Sequence, residues 1–414
     1  MTVSIRHDND TARDAVAPAE LSVAKVNGLA WLGMVVIIAG IIFLQRLGIP
    51  AGGEGFIPIC LLTTLLGMTL MGLGGVLTLS RWRIELWAVT VVALAVSTFC
   101  QWHYWSAMSM WFLIIVYTPL VLVVAGADDA SYKTYLVPFQ WLMIPVALLG
   151  VYQFATVDSF DPFERFGSWV ITGYNTHPPL SYGSSLLRSN AYVLLEPSFL
   201  SQYCAIAILM ELTFFRKRWR IPVYAAGMFA SAGGTGLVVL LIFAIFYAWH
   251  RNKLPHLAIL GMVGLTTLWM FSDNAVIQNM LGRTTEFTEP GSSAYGRFVA
   301  PFFQVGIQLA DVPSWIAGLG PGSGNGDRLL LQGWSPDQVG NLMAPLKMVI
   351  EYGLIGAVPF TIFVTRAFFD HPRSTVLSFS MFVCYTVMST SLQHPPAVYL
   401  SYVISMMFPD RRTS

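Results

Sequence analysis

Charged side chains are scarce in this chain. Asp, Glu, Lys and Arg make up 11% of the 414 residues, whereas hydrophobic residues make up 55%. A soluble globular protein carries about 25% charged residues, so the composition excludes an ordinary soluble domain and indicates a protein that crosses a membrane many times. The formal net charge of +1 argues against a nucleic-acid partner, because such a partner requires a concentrated basic face.

Cysteine and metal-ligand patterns are rare too. Cys60, Cys100, Cys204 and Cys384 all lie in apolar runs, and none has the spacing of a metal ligand. Thiols in such runs usually behave as small hydrophobic side chains. An internal repeat is also missing, which counts against the transporter folds that are built from duplicated halves. We therefore expect no metal and no cofactor.

Apolar runs, in contrast, are abundant. A bilayer span needs about 20 apolar residues, with about 17 at the lower end. The candidate runs lie at 28–45, 56–79, 84–100, 107–125, 135–155, 198–215, 221–249, 256–271, 346–367, 374–391 and 396–408. The run at 221–249 holds SAGGTG at its middle, a pattern that breaks a helix. Dividing this run into two short segments places most of the 23 basic residues on the side of the N-terminal tail, as the positive-inside rule requires.

We therefore expect an all-α polytopic integral membrane protein of about twelve transmembrane segments, one pair of them short or re-entrant. Residues 1–27 form a cytosolic tail and residues 28–414 a single transmembrane domain, with both termini in the cytosol. Two larger loops then lie on the outer side, at about 156–196 and 272–345.

The second outer loop contains a further helical pattern. Its apolar residues recur at helical spacing, at Phe298, Phe302, Val305 and Leu309. This pattern predicts a short helix that lies on the outer surface of the bilayer.

Basic residues on the outer side are disfavoured by the positive-inside rule, so each of them requires a reason. The topology places there Arg46, Arg165, Arg188, Arg283, Arg297, Arg328 and Lys347. Arg188, Arg283 and Arg297 lie next to membrane segments, at the depth of the headgroups. The planar guanidinium matches phosphate oxygens bidentately, so these three residues could bind the pyrophosphate of a lipid-linked sugar. Snorkelling or headgroup contact is the structural alternative.

Acidic and basic candidates for proton transfer are few on the outer side. They are His177, Glu196, Asp327, Asp337, Glu351 and His394. Glu196 follows Arg188 by eight residues and precedes Pro197, so it either belongs to a site or braces the start of a helix. Glu351 lies inside an apolar run and can pair with Lys347, four residues earlier on the same helix face.

Taken in order, these residues resemble the O-antigen polymerase and ligase superfamily, whose polymerases are called Wzy-type. The segments that carry the resemblance are Arg188…Glu196-Pro197-Ser198, Ser231, Gly296-Arg297, GLGPG at 318–322 and Asn341…Glu351-Tyr352-Gly353. The resemblance implies a metal-independent, inverting glycosyltransferase of the bacterial inner membrane. Its substrates would be saccharides linked to undecaprenyl pyrophosphate, and its site would face the periplasm.

The resemblance also implies roles for individual residues. Arg188 and Arg297 match arginines that the family places near the pyrophosphate, and with Glu196 they are the catalytic candidates. The candidates for substrate binding are Arg283, Arg328, Asn341, Lys347 and His394. Family members commonly carry a histidine just before the asparagine that corresponds to Asn341, whereas this chain has Gly340. The general base is therefore open.

Three functions remain as alternatives. An exopolysaccharide or O-antigen polymerase is favoured, because the histidine that the ligases especially carry is missing. An O-antigen ligase would differ in its acceptor only. A flippase for the same lipid-linked sugar would need charges across the bilayer. Apart from Glu85, Glu211 and Glu351, the runs carry almost no ionisable groups. Polymerases of this kind usually work with a flippase and a chain-length co-polymerase, which the resemblance implies as partners.

Overall fold

The computed structural model describes most of the chain. The described residues are 27–51, 56–101, 106–124, 126–157, 160–171, 176, 179, 187–270, 287–289, 292–324, 329, 335, 339–388 and 392–410. Arg283 and Arg328, two of the predicted binding residues, lie outside them, as do His177, Asp327 and Asp337.

Helices dominate this part of the chain. The first nine are α1 (Gly28–Phe43), α2 (Ile59–Leu73), α3 (Arg81–Cys100), α4 (Ala107–Tyr117), α5 (Asp129–Thr156), α6 (Pro197–Met210), α7 (Arg220–Ala230), α8 (Gly234–His250) and α9 (Leu254–Met270). The later ones are α10 (Ser293–Phe298), α11 (Ala300–Gln308), α12 (Val312–Ala317), α13 (Ala344–Phe368), α14 (Thr375–Val383) and α15 (Pro395–Ser401). A π-helical turn extends three of them, at Glu211–Phe215, Cys384–Met388 and Tyr402–Met406.

A helix occupies every run that the sequence predicts to span. Within the described ranges, four helices are long and apolar enough to cross a membrane by length and composition: Arg81–Cys100, Asp129–Thr156, Pro197–Phe215 and Ala344–Phe368. The other apolar helices are shorter. The all-helical membrane architecture is therefore supported, while the count of twelve crossings stays a prediction.

Two short β-hairpins add to this architecture, and the sequence pattern did not predict them. Strand β1 (Gly48–Pro50) pairs antiparallel with β2 (Phe56–Pro58), and β3 (Leu77–Leu79) pairs antiparallel with β4 (Leu122–Val124). Two of the predicted runs, 56–79 and 107–125, therefore contain strand near their ends, at Leu77–Leu79 and Leu122–Val124. A short apolar run is ambiguous between helix and strand on periodicity alone, which explains the error.

The break predicted in the run 221–249 is present. Helix α7 ends at Ala230 and α8 begins at Gly234, and between them Ala232 adopts a left-handed conformation with φ of 44°. The irregular backbone lies against α6, because the Ser201 hydroxyl donates to Gly233 O and accepts from Gly236 N. Irregular backbone within a membrane requires this kind of satisfaction by protein.

Helix α6 lies at the centre of the molecule. It packs against α5, α7 and α8, and nearly all of its residues are buried in one large apolar cluster. A helix that is apolar on all sides requires such an interior position. A smaller cluster on the outer segments contains Val305, Leu309, Leu342 and Ile350.

The helix predicted around Phe298 to Leu309 is present, but it is divided. It begins as α10, breaks at Val299 and continues as α11. Val305 and Leu309 are buried and Phe298 is partly buried, whereas Phe302 is exposed, so the apolar stripe packs inward except at Phe302.

Candidate functional site

The segment 188–196, which we call the strap, leads into α6 in an unusual conformation. Its residues Ala191 and Tyr192 both have positive φ values, 54° and 61°. Non-glycine residues rarely adopt this region, and such strain persists only where the surroundings enforce it. Strain of this kind is often found at functional sites.

Buried amides hold the strap in place. Gln153 Oε1, on α5, accepts from the Ser189 hydroxyl at 2.7 Å and from the backbone N–H groups of Asn190 and Tyr192 at 3.1 and 3.3 Å. Gln45 Oε1 accepts from Leu195 N at 3.3 Å. A buried loop requires such partners for its polar groups, and these two glutamines therefore fix the path of the chain toward Glu196.

Arg46 links the strap to the segment around Asp161. Its guanidinium pairs with both carboxylate oxygens of Asp161 and donates to Tyr192 O at 2.9 Å. It also lies over the Phe163 ring. This arginine, an outward basic residue in the predicted topology, is buried and has a structural role.

Glu196 stands at the N-terminus of α6 and pairs with Arg297. Arg297 Nη2 donates to Glu196 Oε2 at 2.9 Å, and the Ser198 hydroxyl donates to the same oxygen at 3.0 Å. The carboxylate is not used to cap the backbone N–H groups of its own helix. The side chains are 22% and 13% exposed, so this pair, which we call the Glu196–Arg297 site, remains open to solvent.

The outer segments bring Arg297 to this position across 101 residues of chain. Arg297 lies in the last turn of α10. Its neighbour Gly296 accepts a backbone hydrogen bond from Asn341 N at 2.7 Å. Asn341 is exposed, so its side chain is available beside the Glu196–Arg297 site.

A steric clash explains why this chain has glycine at position 340, where family members commonly carry a histidine. A Cβ at this position would lie 2.6 Å from both N and Cδ of Pro301, the second residue of α11. Gly340 N also donates to the buried Gln304 Oε1 at 3.0 Å. A histidine does not fit here without movement of α11, so the usual base position is closed in this chain.

The break between α7 and α8 is bonded to the strap and to the start of α6. Ser189 N donates to Ala230 O at 3.2 Å, and the Thr235 hydroxyl donates to Ser198 O at 3.1 Å. Arg188, the first residue of the strap, is half-buried, and its neighbour Ser189 is bonded through its backbone to the end of α7. A role of Arg188 beside Glu196 stays a prediction.

His394 packs on Phe199, which lies one helical turn after Glu196. Its ring stacks on Phe199 with centroids 4.8 Å apart, and Phe199 N donates to Glu196 O. Nδ1 accepts from Ala397 N at 3.4 Å. Burial lowers the pKa of His394 to about 4. The imidazole is therefore neutral near pH 7 rather than a cation, and the hydrogen bond to Nδ1 assigns its proton to Nε2.

Lys347 and Glu351 form a separate cluster on α13. Their side chains pair at 3.6 Å, as the spacing of four residues predicts, and Glu351 is fully buried. The glycine-rich segment covers the pair, since a Cβ at Gly324 would lie 3.5 Å from Glu351 Oε1. Lys347 therefore braces a buried carboxylate and does not share the Glu196–Arg297 pair.

Sequence reasoning missed Gln153 and Gln45, and it named Ser198 only as part of the family resemblance. Both glutamines are uncharged polar residues in or next to apolar stretches, and their partners on the strap lie 36 and 150 residues away for Ser189 and Leu195. For Gln153, the sequence signal was an amide side chain within a run of apolar residues. As to metal binding, the part of the chain that the structure describes contains no cluster of three or more His, Cys, Asp or Glu residues.

Comparison with known proteins identifies the family. The family model of WcaD colanic acid polymerase matches residues 31–324, well over half of the chain. The match contains the strap, Glu196 and Arg297. No curated protein matches the chain significantly. Membership supports a role as a membrane polysaccharide polymerase, in agreement with the resemblance to Wzy-type exopolysaccharide polymerases. This chain belongs to the WcaD colanic acid polymerase family.

Proposed function

We propose that this protein is a polysaccharide polymerase that transfers a growing glycan from undecaprenyl pyrophosphate to a lipid-linked repeat unit. The reaction takes place on the periplasmic face of the bacterial inner membrane and serves exopolysaccharide or O-antigen synthesis. The Glu196–Arg297 pair is the observation that carries the proposal, because it places a carboxylate and a guanidinium together at the end of a buried helix.

The proposed step is an inverting displacement. A hydroxyl oxygen of the acceptor sugar attacks the anomeric carbon of the donor glycan, and the bond from that carbon to the pyrophosphate oxygen breaks. The hydroxyl proton passes to Glu196, which acts as general base. The bond electrons leave with undecaprenyl pyrophosphate, whose growing charge Arg297 and Arg188 stabilise.

The geometry of Arg297 suits this role. It uses Nη2 for Glu196, and a guanidinium carries five N–H donors in one plane. The same side chain can therefore hold the carboxylate in position and donate to a phosphate oxygen. Fixed cations of this kind stabilise a leaving group without a metal, so the proposed mechanism is metal-independent.

His394 and Asn341 complete the proposed site. His394 is neutral, so it contributes a hydrogen bond and the stacked position of Phe199 rather than charge. Asn341 lies beside Arg297 through its backbone contact with Gly296. We assign these residues to sugar binding, together with Arg283 and Arg328.

The ion pairs support the proposed topology of about twelve segments with both termini in the cytosol. Arg83 pairs with Asp370 and donates to Met406 O, and Arg373 pairs with Asp129. The topology places all of these residues on the cytosolic side. The periplasmic loops, at about 156–196 and 272–345, hold Asp161, Glu196 and Arg297.

A gel profile of lipid-linked saccharides and secreted polymer tests the function. The samples come from a deletion strain complemented with the wild type or with Arg297→Ala. If the protein is a polymerase with Arg297 in its site, single repeat units should accumulate on the lipid carrier. Polymer should then be lost in both the deletion strain and the variant.

The other outcomes favour the rival functions. Long lipid-linked chains that are not attached to lipid A–core would indicate a ligase. Repeat units trapped on the cytosolic leaflet would indicate a flippase. Normal polymer from a folded Arg297→Ala protein would show that the Glu196–Arg297 pair is structural only. The flippase and the chain-length co-polymerase that we expect as partners should be present in the strain.

A further inference from the structure

Helix α13 is broken inside its membrane span. Gly353 has φ of 56° and ψ of −167°, a conformation that favours glycine. The carbonyls of Ile350 and Glu351, just before the break, accept instead from Leu319 N at 2.8 Å and Gly320 N at 2.9 Å. A second segment therefore reaches the break and satisfies the backbone there.

The position of this contact shows how far the end of α12 lies from the start of α13, measured along α13. Gly353 follows the first residue of α13, Ala344, by nine residues, which corresponds to about 13 Å along a helix that rises 1.5 Å per residue. Gly318 touches it so closely that a Cβ on Gly318 would lie 2.4 Å from Gly353 N. The end of α12 therefore lies well below the start of α13.

Helix α3 independently places the end of α12 below the outer ends of the neighbouring helices, at a smaller distance. The Ser97 hydroxyl donates to Ala317 O at 2.8 Å. Ser97 lies three residues before the end of α3 at Cys100, or about 5 Å from that end. In the expected topology α3 ends and α13 begins on the same, outer side, so both helices place Ala317 and Gly318 below the outer surface.

The free face of α12 is apolar. Val312 is 69% exposed, Trp315 41% and Ile316 47%. The helix packs against α3 and α13, and the neighbouring surfaces of those helices are apolar and exposed as well, for example at Phe99 and Leu354. Each of the three helices thus presents exposed apolar side chains of the kind that face lipid.

The beginning of α12 has the opposite character. Asp311 is exposed and caps the helix by accepting from Ser314 N at 2.9 Å. Hydrogen bonds from the Ser314 hydroxyl and backbone lower the pKa of Asp311, so it is charged near pH 7. From Asp311 to Gly318 the chain descends about 10 Å, which matches a start among headgroups and an end among acyl chains.

We propose that residues 311–321 form a re-entrant element whose α12 face, at Val312, Trp315 and Ile316, contacts the acyl chains of the outer leaflet. The turn at its tip meets the condition for backbone in hydrocarbon. Its groups bond to Ile350, Glu351 and Ser97, and Pro321 O accepts from Ser106 N. This inference goes beyond the proposed function, because it is independent of which glycan is transferred.

Site-directed spin labelling in lipid nanodiscs tests the insertion. Cys100, the exposed cysteine among the four, is replaced by serine. Single cysteines are then introduced as Val312→Cys, Trp315→Cys and Ile316→Cys, and each label is compared for collision with oxygen and with a water-soluble nickel chelate. Val92→Cys on the exposed face of α3 is the lipid control, and Glu164→Cys in the first outer loop is the aqueous control.

If α12 is inserted, the labels at 312, 315 and 316 should collide with oxygen more than with the nickel chelate, as the lipid control at 92 does. The aqueous control at 164 should collide more with the nickel chelate than with oxygen. The label at 316 should lie deeper than that at 312. Preferential collision with nickel at all three positions would overturn the proposal. Immobile labels that are shielded from both reagents would overturn it too, since they would indicate a protein partner on this face.

Discussion

The two ends of α6 carry the same pair of chemical groups and differ in their surroundings. Glu196 precedes the helix and Glu211 follows it, about 22 Å apart along the axis. Each carboxylate pairs with an arginine at 2.9 Å. An ion pair by itself therefore does not mark a site in this protein.

The surroundings separate the two roles. Glu211 is fully buried and also accepts from Lys217 N, while Arg220 is covered by the rings of Trp141 and Trp219. This pair is closed. Glu196 and Arg297 remain partly open and are reached by a strained strap. Access to solvent, rather than charge, distinguishes the proposed reactive end of α6 from the structural end.

Replacement of each glutamate by glutamine should give the largest difference between the two ends of α6. In Glu196→Gln we expect polymer formation to fall about 100-fold or more, because a general base is lost, with little change in thermal stability. In Glu211→Gln the buried Arg220 loses its charged partner, so the stability should fall by about 3–5 kcal/mol. Polymer yield and the unfolding midpoint of purified protein measure the two effects.

The comparison fails if the effects are exchanged. A Glu196→Gln protein that unfolds easily but polymerises normally per folded molecule would make Glu196 a structural residue. A stable but inactive Glu211→Gln protein would move the chemistry to the other end of α6.

The two buried glutamines of α5 provide a second comparison between a residue that supports the site and one that supports the helical core. Gln153 holds the strap, whereas Gln140 bonds to Ala207 O and the Tyr224 hydroxyl in the helical core. We expect Gln153→Leu to lower kcat about tenfold or more, because a site misplaced by about 1 Å loses catalysis. Gln140→Leu should lower stability and leave kcat of the folded protein unchanged. Equal kcat in both variants would contradict the positioning role of Gln153.

Two glycines of the outer segments test the packing beside Arg297. Gly340→Ala forces a Cβ against Pro301 and should cost about 1–3 kcal/mol of stability. Gly306, on α11, has no atom within 4 Å of the corresponding position, so Gly306→Ala should be neutral or slightly stabilising. Unfolding midpoints of the two proteins give the comparison, and equal values would mean that α11 moves freely away from position 340.

The smallest expected effect concerns His394 and pH. Its pKa of about 4 in the folded protein lies below the ordinary value of 6.5, so the unfolded chain takes up the proton first. The contribution to stability is complete above about pH 6.5 and is lost as the pH falls toward 4. Relative to His394→Gln, the wild type should lose about 1 kcal/mol between pH 8 and pH 6. An unchanged difference would mean that His394 titrates normally.

The sequence predicted the framework of this molecule better than its site. Apolar runs located the helices, and the glycine cluster located the break between α7 and α8, because both signals are local. The pairing of Glu196 with Arg297 spans 101 residues, and no pattern in either segment specifies it. The support from Gln153 depends on the path of a strained strap, which also has no local signature. The β3–β4 hairpin was missed because its strands are short apolar runs.

The most direct test of the central claim is elongation by purified protein in nanodiscs that contain lipid-linked repeat units. The wild type, Arg297→Ala and Arg220→Ala are compared at equal amounts of folded protein. We expect Arg297→Ala to form no chains longer than one repeat unit, whereas the folded fraction of Arg220→Ala should elongate at the wild-type rate. Normal elongation by Arg297→Ala would contradict the assignment of the Glu196 end of α6 as the reactive end.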